Sequence, residues 1–133
     1  MERRAPEPKP WGVSQDEAVE LCRAWMVYLG ANDTVVAAGE TKSFCNLYSH
    51  HFLAWVNNSQ HNLDIKSVEQ IATVASSDGR LPLIFVPGGV LPSAQDRADA
   101  LGVAVLRFDA RNADLDGANA LGRQIRATGL IVT

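Results

Sequence analysis

Long apolar runs are missing from this sequence, and cysteine is rare. No stretch approaches the roughly twenty apolar residues of a membrane-spanning helix, and the first residues lack the apolar segment of a secretory signal peptide. Of the 133 residues only Cys22 and Cys45 are cysteines, and their separation fits no metal-ligand spacing. We therefore expect a cytoplasmic protein that does not bind membranes, with two buried, free thiols.

The sequence also has little net charge. The formal charge of −3 argues against strong nonspecific binding to nucleic acid. Residues 1–79 carry six basic and ten acidic side chains, whereas residues 80–133 carry six arginines and five acidic side chains. If the protein binds DNA, the expected phosphate contacts lie in this second part: Arg97, Arg107, Arg111, Arg123 and Arg126.

Two common catalytic signatures are absent. Pro87-Gly88-Gly89 follows an apolar run, but the glycine spacing of a dinucleotide fingerprint and the Lys-Ser/Thr of a P-loop are both missing. These glycines instead predict a tight turn. No Gly-x-Ser-x-Gly nucleophile elbow occurs either.

The most informative stretch that is present runs from Leu81 to Phe108. Residues 83–86 and 103–106 are continuous apolar runs, and the segment between them has helical periodicity that ends at Gly102. Continuous apolar runs are typical of strands buried on both faces, and a helix between them supplies the crossover that parallel strands need. The stretch predicts a strand, helix, strand unit in the middle of a sheet.

The rest of the chain supplies further elements. Residues 1–12 predict a disordered leader, and residues 13–133 a single domain. A capping box of Ser14 and Glu17 opens a first helix, which Gly30 closes; three short strands follow at 34–38, 44–48 and 52–56, and then a helix at 64–77. After Phe108 we expect a loop and a short final helix that ends before Gly129.

These elements predict an α/β fold with a central mixed sheet of about five strands flanked by helices. Their order is helix, three-strand meander, helix, strand, helix, strand, short helix. The residues expected to be almost fully buried are Leu21, Trp25, Val68, Ile71, Ile84, Val86, Val103 and Val105.

Several stretches carry a resemblance to a known family: Ser14-Gln15-Asp16-Glu17-Ala18 with Trp25 and Leu29-Gly30, the meander with its following helix, and the closing LPLIFVPGGVLPSAQDRADALGVAVLRFD. Through these stretches, residues 11–125 resemble the Mrr-type restriction endonuclease-like family of the PD-(D/E)xK nucleases. The resemblance implies the restriction endonuclease-like fold. It also implies a site at which carboxylates hold Mg²⁺ and a lysine assists the attacking water.

The residues that carry this chemistry in the family are replaced here. Asn46 stands where the resemblance implies the aspartate of the second meander strand, and Trp55 and Asn57 stand where it implies the Glu or Gln and the Lys of the third. Glu17 matches an acidic position near the family's site, although its capping box already accounts for it. We therefore expect no catalytic residues, no metal and no cofactor.

Three functions stay open. The first is a pseudo-nuclease domain that binds nucleic acid or a protein partner. The second is an active Mg²⁺-dependent DNA endonuclease whose ligands have migrated to Glu17, Asp33, Glu40 or His50. The third is a structural or oligomerisation domain, such as a homodimer. His50-His51 is most simply a solvated turn, and we expect Trp11 to contact the leader while Trp25 and Trp55 lie in the core.

Overall fold

The computed structural model describes residues 5–59 and 61–130. Four α-helices lie in these residues: α1 (Gln15–Leu29), α2 (Ile65–Asp78), α3 (Pro92–Leu101) and α4 (Ala120–Thr128). A 3-10 helix covers Gly39–Ser43. The strands are β1 (Val35–Val36), β2 (Leu47–Tyr48), β3 (Phe52–Val56), β4 (Leu81–Val86), β5 (Ala104–Asp109) and β6 (Asp114–Gly117).

The strands form one open mixed sheet in which spatial order equals chain order, β1-β2-β3-β4-β5-β6. Strands β1, β2 and β3 are antiparallel neighbours, β3, β4 and β5 are parallel, and β6 returns antiparallel to β5. The predicted α/β class and the parallel unit are therefore confirmed. The expectation of about five strands was one too low, because β6 lies in the stretch that the sequence predicts as a loop.

Local sequence signals fix the ends of the helices. Ser14 and Glu17 form the predicted capping box of α1, and Asp64 caps α2 by accepting a hydrogen bond from the Ser67 backbone N–H at 2.9 Å. Gly79 and Gly102 end α2 and α3 with left-handed backbone, which glycine adopts without strain. Of the helices in residues 5–59 and 61–130, none is long and apolar enough to cross a membrane.

Helices cover both faces of the sheet. The apolar side of α1 packs on one face with Leu121 and Ile125 of α4, around the fully buried Trp25. Helices α2 and α3 pack on the other face, around Ile84 and Val105. Seven of the eight predicted core residues are buried, and Ile71 is only half-buried at the margin of the second layer.

The first part of the meander differs from its prediction. Strands β1 and β2 have two residues each, because the chain between them forms the 3-10 helix. Phe44, predicted to begin a strand, follows that helix and is 58% exposed. Both cysteines are free and buried as expected, and burial raises the pKa of the Cys22 thiol well above its usual range.

The start of α4 is tied to β5 by the buried side-chain amide of its N-cap residue, Asn119. The Oδ1 atom of Asn119 accepts hydrogen bonds from the backbone N–H groups of Val105 at 2.9 Å and Gly122 at 2.8 Å, and its Nδ2 donates to the Val103 carbonyl at 2.7 Å. A Cβ atom at Gly122 would collide with the Val105 carbonyl oxygen. Helix α4 therefore lies directly against the sheet.

Candidate functional site

The structure brings Asn46, Trp55 and Asn57 together in the wall of one cavity of about 360 Å³ between α2 and the sheet. Trp55 and Asn57 project to the same face because side chains alternate along a strand. Asn46 joins them from the residue before β2, which pairs with β3. We call this space the neutral cavity, and its further polar lining comes from Ser43, Ser67 and Gln70.

Asn46 has a structural task in this wall. Its backbone N–H donates to the Ala54 carbonyl at 2.9 Å, and its side-chain Oδ1 accepts from the Val56 backbone N–H at 2.8 Å. The side chain thus continues the β2–β3 pairing where the regular ladder ends. Its Nδ2 group makes no hydrogen bond to any residue in the described ranges and stays available to a ligand.

The neutral cavity contains no ionisable side chain among the described residues that line it. A divalent cation of the Mg²⁺ type is held by carboxylates, and a developing phosphate charge is offset by a cation or a metal. Trp55, half-buried against the cluster of Ala37, Cys45, Leu53 and Ala75, contributes an aromatic face instead. This lining suits an uncharged ligand better than a metal.

Glu17 does not reach the neutral cavity. Its carboxylate accepts from the Ser14 backbone N–H at 3.0 Å, and the hydrogen bonds with Ser14 lower the pKa of Glu17. Gln15 of α1 instead hydrogen-bonds to the end of β3: its Nε2 donates to the Val56 carbonyl at 2.8 Å, and its Oε1 accepts from the Asn58 N–H at 2.9 Å. No sequence pattern indicates this role of Gln15.

The other candidate ligands do not gather into a metal site. Asp33 accepts from the backbone N–H of His50 at 2.8 Å, and this contact lowers the pKa of Asp33. The rings of His50 and His51 pack edge to face with their centres 4.5 Å apart, while Glu40 lies in the 3-10 helix. Across residues 5–59 and 61–130, no three His, Cys, Asp or Glu residues are placed to share a metal ion.

A second space, of about 590 Å³, lies at the carboxyl ends of the parallel strands. Two of the predicted arginines, Arg107 and Arg111, line it together with Trp11. The N-terminal segment reaches this position because the Lys9 backbone N–H donates to the Ala110 carbonyl at 2.7 Å. We call this space the carboxyl-end cleft. We expected Trp11 to contact the leader. Instead, its side chain lines this cleft and is 91% exposed, so it packs against very little of the protein.

Three aspartates share the carboxyl-end cleft with the arginines: Asp109, Asp114 and Asp116. The carboxylate of Asp109 accepts hydrogen bonds within the turn that follows it. Asn112 Nδ2 donates to this carboxylate at 2.7 Å, and the hydrogen bonds from Asn112 lower the pKa of Asp109. Asp116 stands opposite Arg107 in the β5–β6 register. The cleft therefore carries side chains of both signs, two arginines and three aspartates.

The remaining predicted arginines lie elsewhere. Arg97 of α3 pairs with Glu69 of α2 at 3.6 Å on an exposed surface. Arg126 donates from Nε to the Leu115 carbonyl at 2.7 Å, and its guanidinium lies 5.3 Å from the centre of the Trp25 ring. Arg123 is exposed on α4. Of the five predicted arginines, Arg107 and Arg111 line the carboxyl-end cleft together, and Arg126 has a structural role.

Comparison of the chain with protein-family models, with curated proteins and with solved structures found no match.

Proposed function

We propose that this protein is a nuclease-like domain that binds nucleic acid without cleaving it. The observation that carries the proposal is the carboxyl-end cleft, in which Trp11, Arg107 and Arg111 line one concave surface. Ligands of α/β sheets commonly bind outside the carboxyl ends of the strands. The order of the elements, a three-strand meander joined through α2 to a parallel strand, supports the restriction endonuclease-like fold that the resemblance implies.

The two arginines and Trp11 of the cleft each supply a recognised contribution to binding. A guanidinium group donates paired hydrogen bonds to phosphate oxygens, and both arginines are exposed. An exposed indole stacks on an unpaired base, and such stacking contributes about 1–3 kcal/mol per base. Trp11 therefore favours a single strand, or the frayed end of a duplex, over a continuous duplex.

The proposal that the domain does not cleave nucleic acid rests on the residues that line the neutral cavity. Metal-dependent phosphodiester hydrolysis needs an anionic ligand set that holds the ion against the phosphate. Asn46 and Asn57 offer amide groups at the matching positions, and Trp55 offers no ligand atom. Nucleic acid bound in the carboxyl-end cleft would therefore meet no hydrolytic centre in the adjacent neutral cavity.

Fluorescence anisotropy with a labelled single-stranded oligonucleotide tests the proposal. We expect binding that weakens steeply with salt, because bound phosphates release counterions. Replacing Arg107 and Arg111 together by alanine should lower the salt slope by roughly 0.7 for each phosphate of the single strand that is no longer neutralised. Arg97→Ala is the matched control, since that arginine lies outside the cleft. Affinity independent of salt, or equal in the double variant and the control, would refute the proposal.

A second experiment uses the sign of the cleft's acidic residues. Asp116 stands opposite Arg107, so Asp116→Asn removes a negative charge beside the expected phosphate. Binding of an oligonucleotide should become tighter, by roughly two- to five-fold at low salt for one exposed charge. A ligand that carries a positive group would bind more weakly to the same variant. Weaker oligonucleotide binding by Asp116→Asn would therefore count against phosphate recognition.

A protein partner is the second candidate function, favoured by the exposed Phe44. This ring lines a groove of about 620 Å³ with Tyr48 and Val74, between the 3-10 helix and α2. Exposed apolar surface of this kind is typical of interaction sites. Light scattering over a range of concentrations would detect a homodimer, and Phe44→Ser should then return the protein to a monomer.

A further inference from the structure

We infer that the neutral cavity binds a single unpaired nucleobase. The inference rests on the proposed function, since it assigns to the same protein a base site beside its strand-binding cleft. At about 360 Å³ the cavity is at the small end of the range for ligand sites. This size suits one heterocyclic ring system rather than an extended ligand.

The lack of ionisable side chains among the described residues of the cavity indicates the chemical class of its ligand. Its lining carries no ionisable side chain in the described residues, so a free phosphate, a carboxylate or a metal ion would find no counter-charge there. Burying a charged group without a partner is costly, whereas a neutral polar group needs only hydrogen bonds. Nucleobases are neutral at pH 7 and present hydrogen-bonding edges.

The polar groups of the cavity match those edges. Asn46 offers its Nδ2 donors because its Oδ1 is engaged by Val56, while the side-chain amides of Asn57 and Gln70 make no hydrogen bond within the described ranges. Asparagine and glutamine amides pair a donor and an acceptor with the edge of a base. Three amides around one cavity therefore provide both kinds of partner.

Aromatic side chains supply the stacking surfaces. Trp55 is half-buried in the wall, and its Nε1 makes no hydrogen bond to a described residue. Phe44, at 58% exposure, stands at the outer part of the same wall. Base stacking on such rings is tolerant of sequence, so we expect a site for bases in general that the amides then bias.

The two sites lie side by side. Asn57 lines the neutral cavity and Asn58 lines the carboxyl-end cleft, and the Cα atoms of consecutive residues are about 3.8 Å apart. The end of β3 therefore separates the two spaces. A strand whose phosphates contact Arg107 and Arg111 would pass near the mouth of the cavity, where an unpaired base leaves the stack at little cost.

Two-dimensional ¹H–¹⁵N NMR of the full chain gives a site-specific test. The three indole N–H signals are assigned with single Trp→Phe variants, and each free nucleoside is titrated to millimolar concentration. We expect the Trp55 signal to shift and the Trp25 signal, from a buried ring, to stay unchanged. Asn57→Leu with Gln70→Leu removes two amides at similar size and should weaken the shift-derived affinity about tenfold or more. Gln124→Leu, on the exposed face of α4, is the matched control.

The outcomes separate the two proposals. Salt-dependent oligonucleotide binding together with a Trp55 signal that ignores every nucleoside would overturn the base site and leave the cleft intact. A nucleoside shift without oligonucleotide binding would support the base site and refute the proposed function. A shift that survives in the double leucine variant, with the variant folded by circular dichroism, would overturn the assignment of the amides as the recognising groups.

Discussion

The side chain of Asn46 occupies a backbone hydrogen-bonding position, with Oδ1 accepting from the N–H of Val56 at 2.8 Å. Asn46→Ala should leave that N–H unpaired in a half-buried place and cost about 1–3 kcal/mol in the free energy of unfolding. Asn46→Asp keeps an acceptor and should cost about 1 kcal/mol or less. Urea denaturation measures both, and equal stabilities for the two variants would contradict the role.

Cleavage of DNA is expected to be absent from the parent protein and restorable. The triple change Asn46→Asp, Trp55→Glu and Asn57→Lys would supply the anionic ligands and the cation that the neutral cavity lacks. Because such groups act as a unit, each single change should do little, whereas the triple variant should nick supercoiled plasmid in the presence of Mg²⁺.

The controls for this experiment distinguish the alternatives. Circular dichroism must show that the triple variant is folded, since Trp55 packs on its neighbours. A folded but inactive triple variant would show that the three positions do not match the nuclease site. Metal-dependent nicking by the parent, abolished by Glu17→Ala, would instead support an active enzyme with migrated ligands.

Arg126 should behave as a structural residue. Its guanidinium donates to the Leu115 carbonyl and lies over the Trp25 ring. Arg126→Ala should lower the free energy of unfolding by about 1–2 kcal/mol, because it removes the hydrogen bond and the cation–π interaction, and should leave the salt slope of oligonucleotide binding unchanged. Arg123→Ala, on the exposed face of the same helix, is the control for stability. A change of the salt slope in Arg126→Ala would show instead that Arg126 contacts the bound oligonucleotide.

Acid should weaken the fold through carboxylates that accept hydrogen bonds. The N–H of Ser67 lowers the pKa of Asp64, so the unfolded chain takes up its proton first as pH falls. The stabilisation is complete above the usual aspartate pKa of about 3.9 and is lost as pH falls through the lower folded value. Asp64→Asn keeps a capping oxygen without a titrating group. Its stability near neutrality should stay close to that of the parent, with a shallower decline as the pH falls below about 4.

The centre of the sheet should tolerate truncation poorly. Ile84 of β4 is buried at 2% exposure, whereas Leu81 of the same strand is 55% exposed. Ile84→Ala should cost about 2–5 kcal/mol from lost burial and the remaining cavity. Leu81→Ala should cost less than about 1 kcal/mol. Similar urea midpoints for the two variants would contradict the central position of β4.

Sequence patterns predicted the elements whose burial is periodic or continuous, but they missed the strand at one margin of the sheet and overestimated the length of the strand at the other. Strand β6 has one buried residue, Leu115, between two exposed aspartates, so its apolar signal is too short to recognise. At the other margin a strand was predicted at residues 34–38, but β1 covers only Val35–Val36, and both valines are exposed. Such strands form because a neighbouring strand offers backbone partners, which no local pattern records.

The site was predictable only where position along a strand decides it. Trp55 and Asn57 share a face because they are two residues apart, and this alternation follows from sequence alone. Grouping the arginines required the tertiary structure, since Arg107 and Arg126 each follow an apolar residue but have different roles. Trp11 reached the carboxyl-end cleft through a backbone hydrogen bond of Lys9, for which the sequence carries no signal.

The strands lie in the sheet in the same order as in the chain, and this order has a consequence for biosynthesis. Each strand that leaves the ribosome finds its partner in the strand made just before it, so the sheet can grow by addition as translation proceeds. The carboxyl-end cleft is different, because its walls include both Trp11 and Asp116. A nascent chain would therefore form most of its sheet before it forms the cleft, and a chain released before Asp116 is made would lack one wall of that cleft.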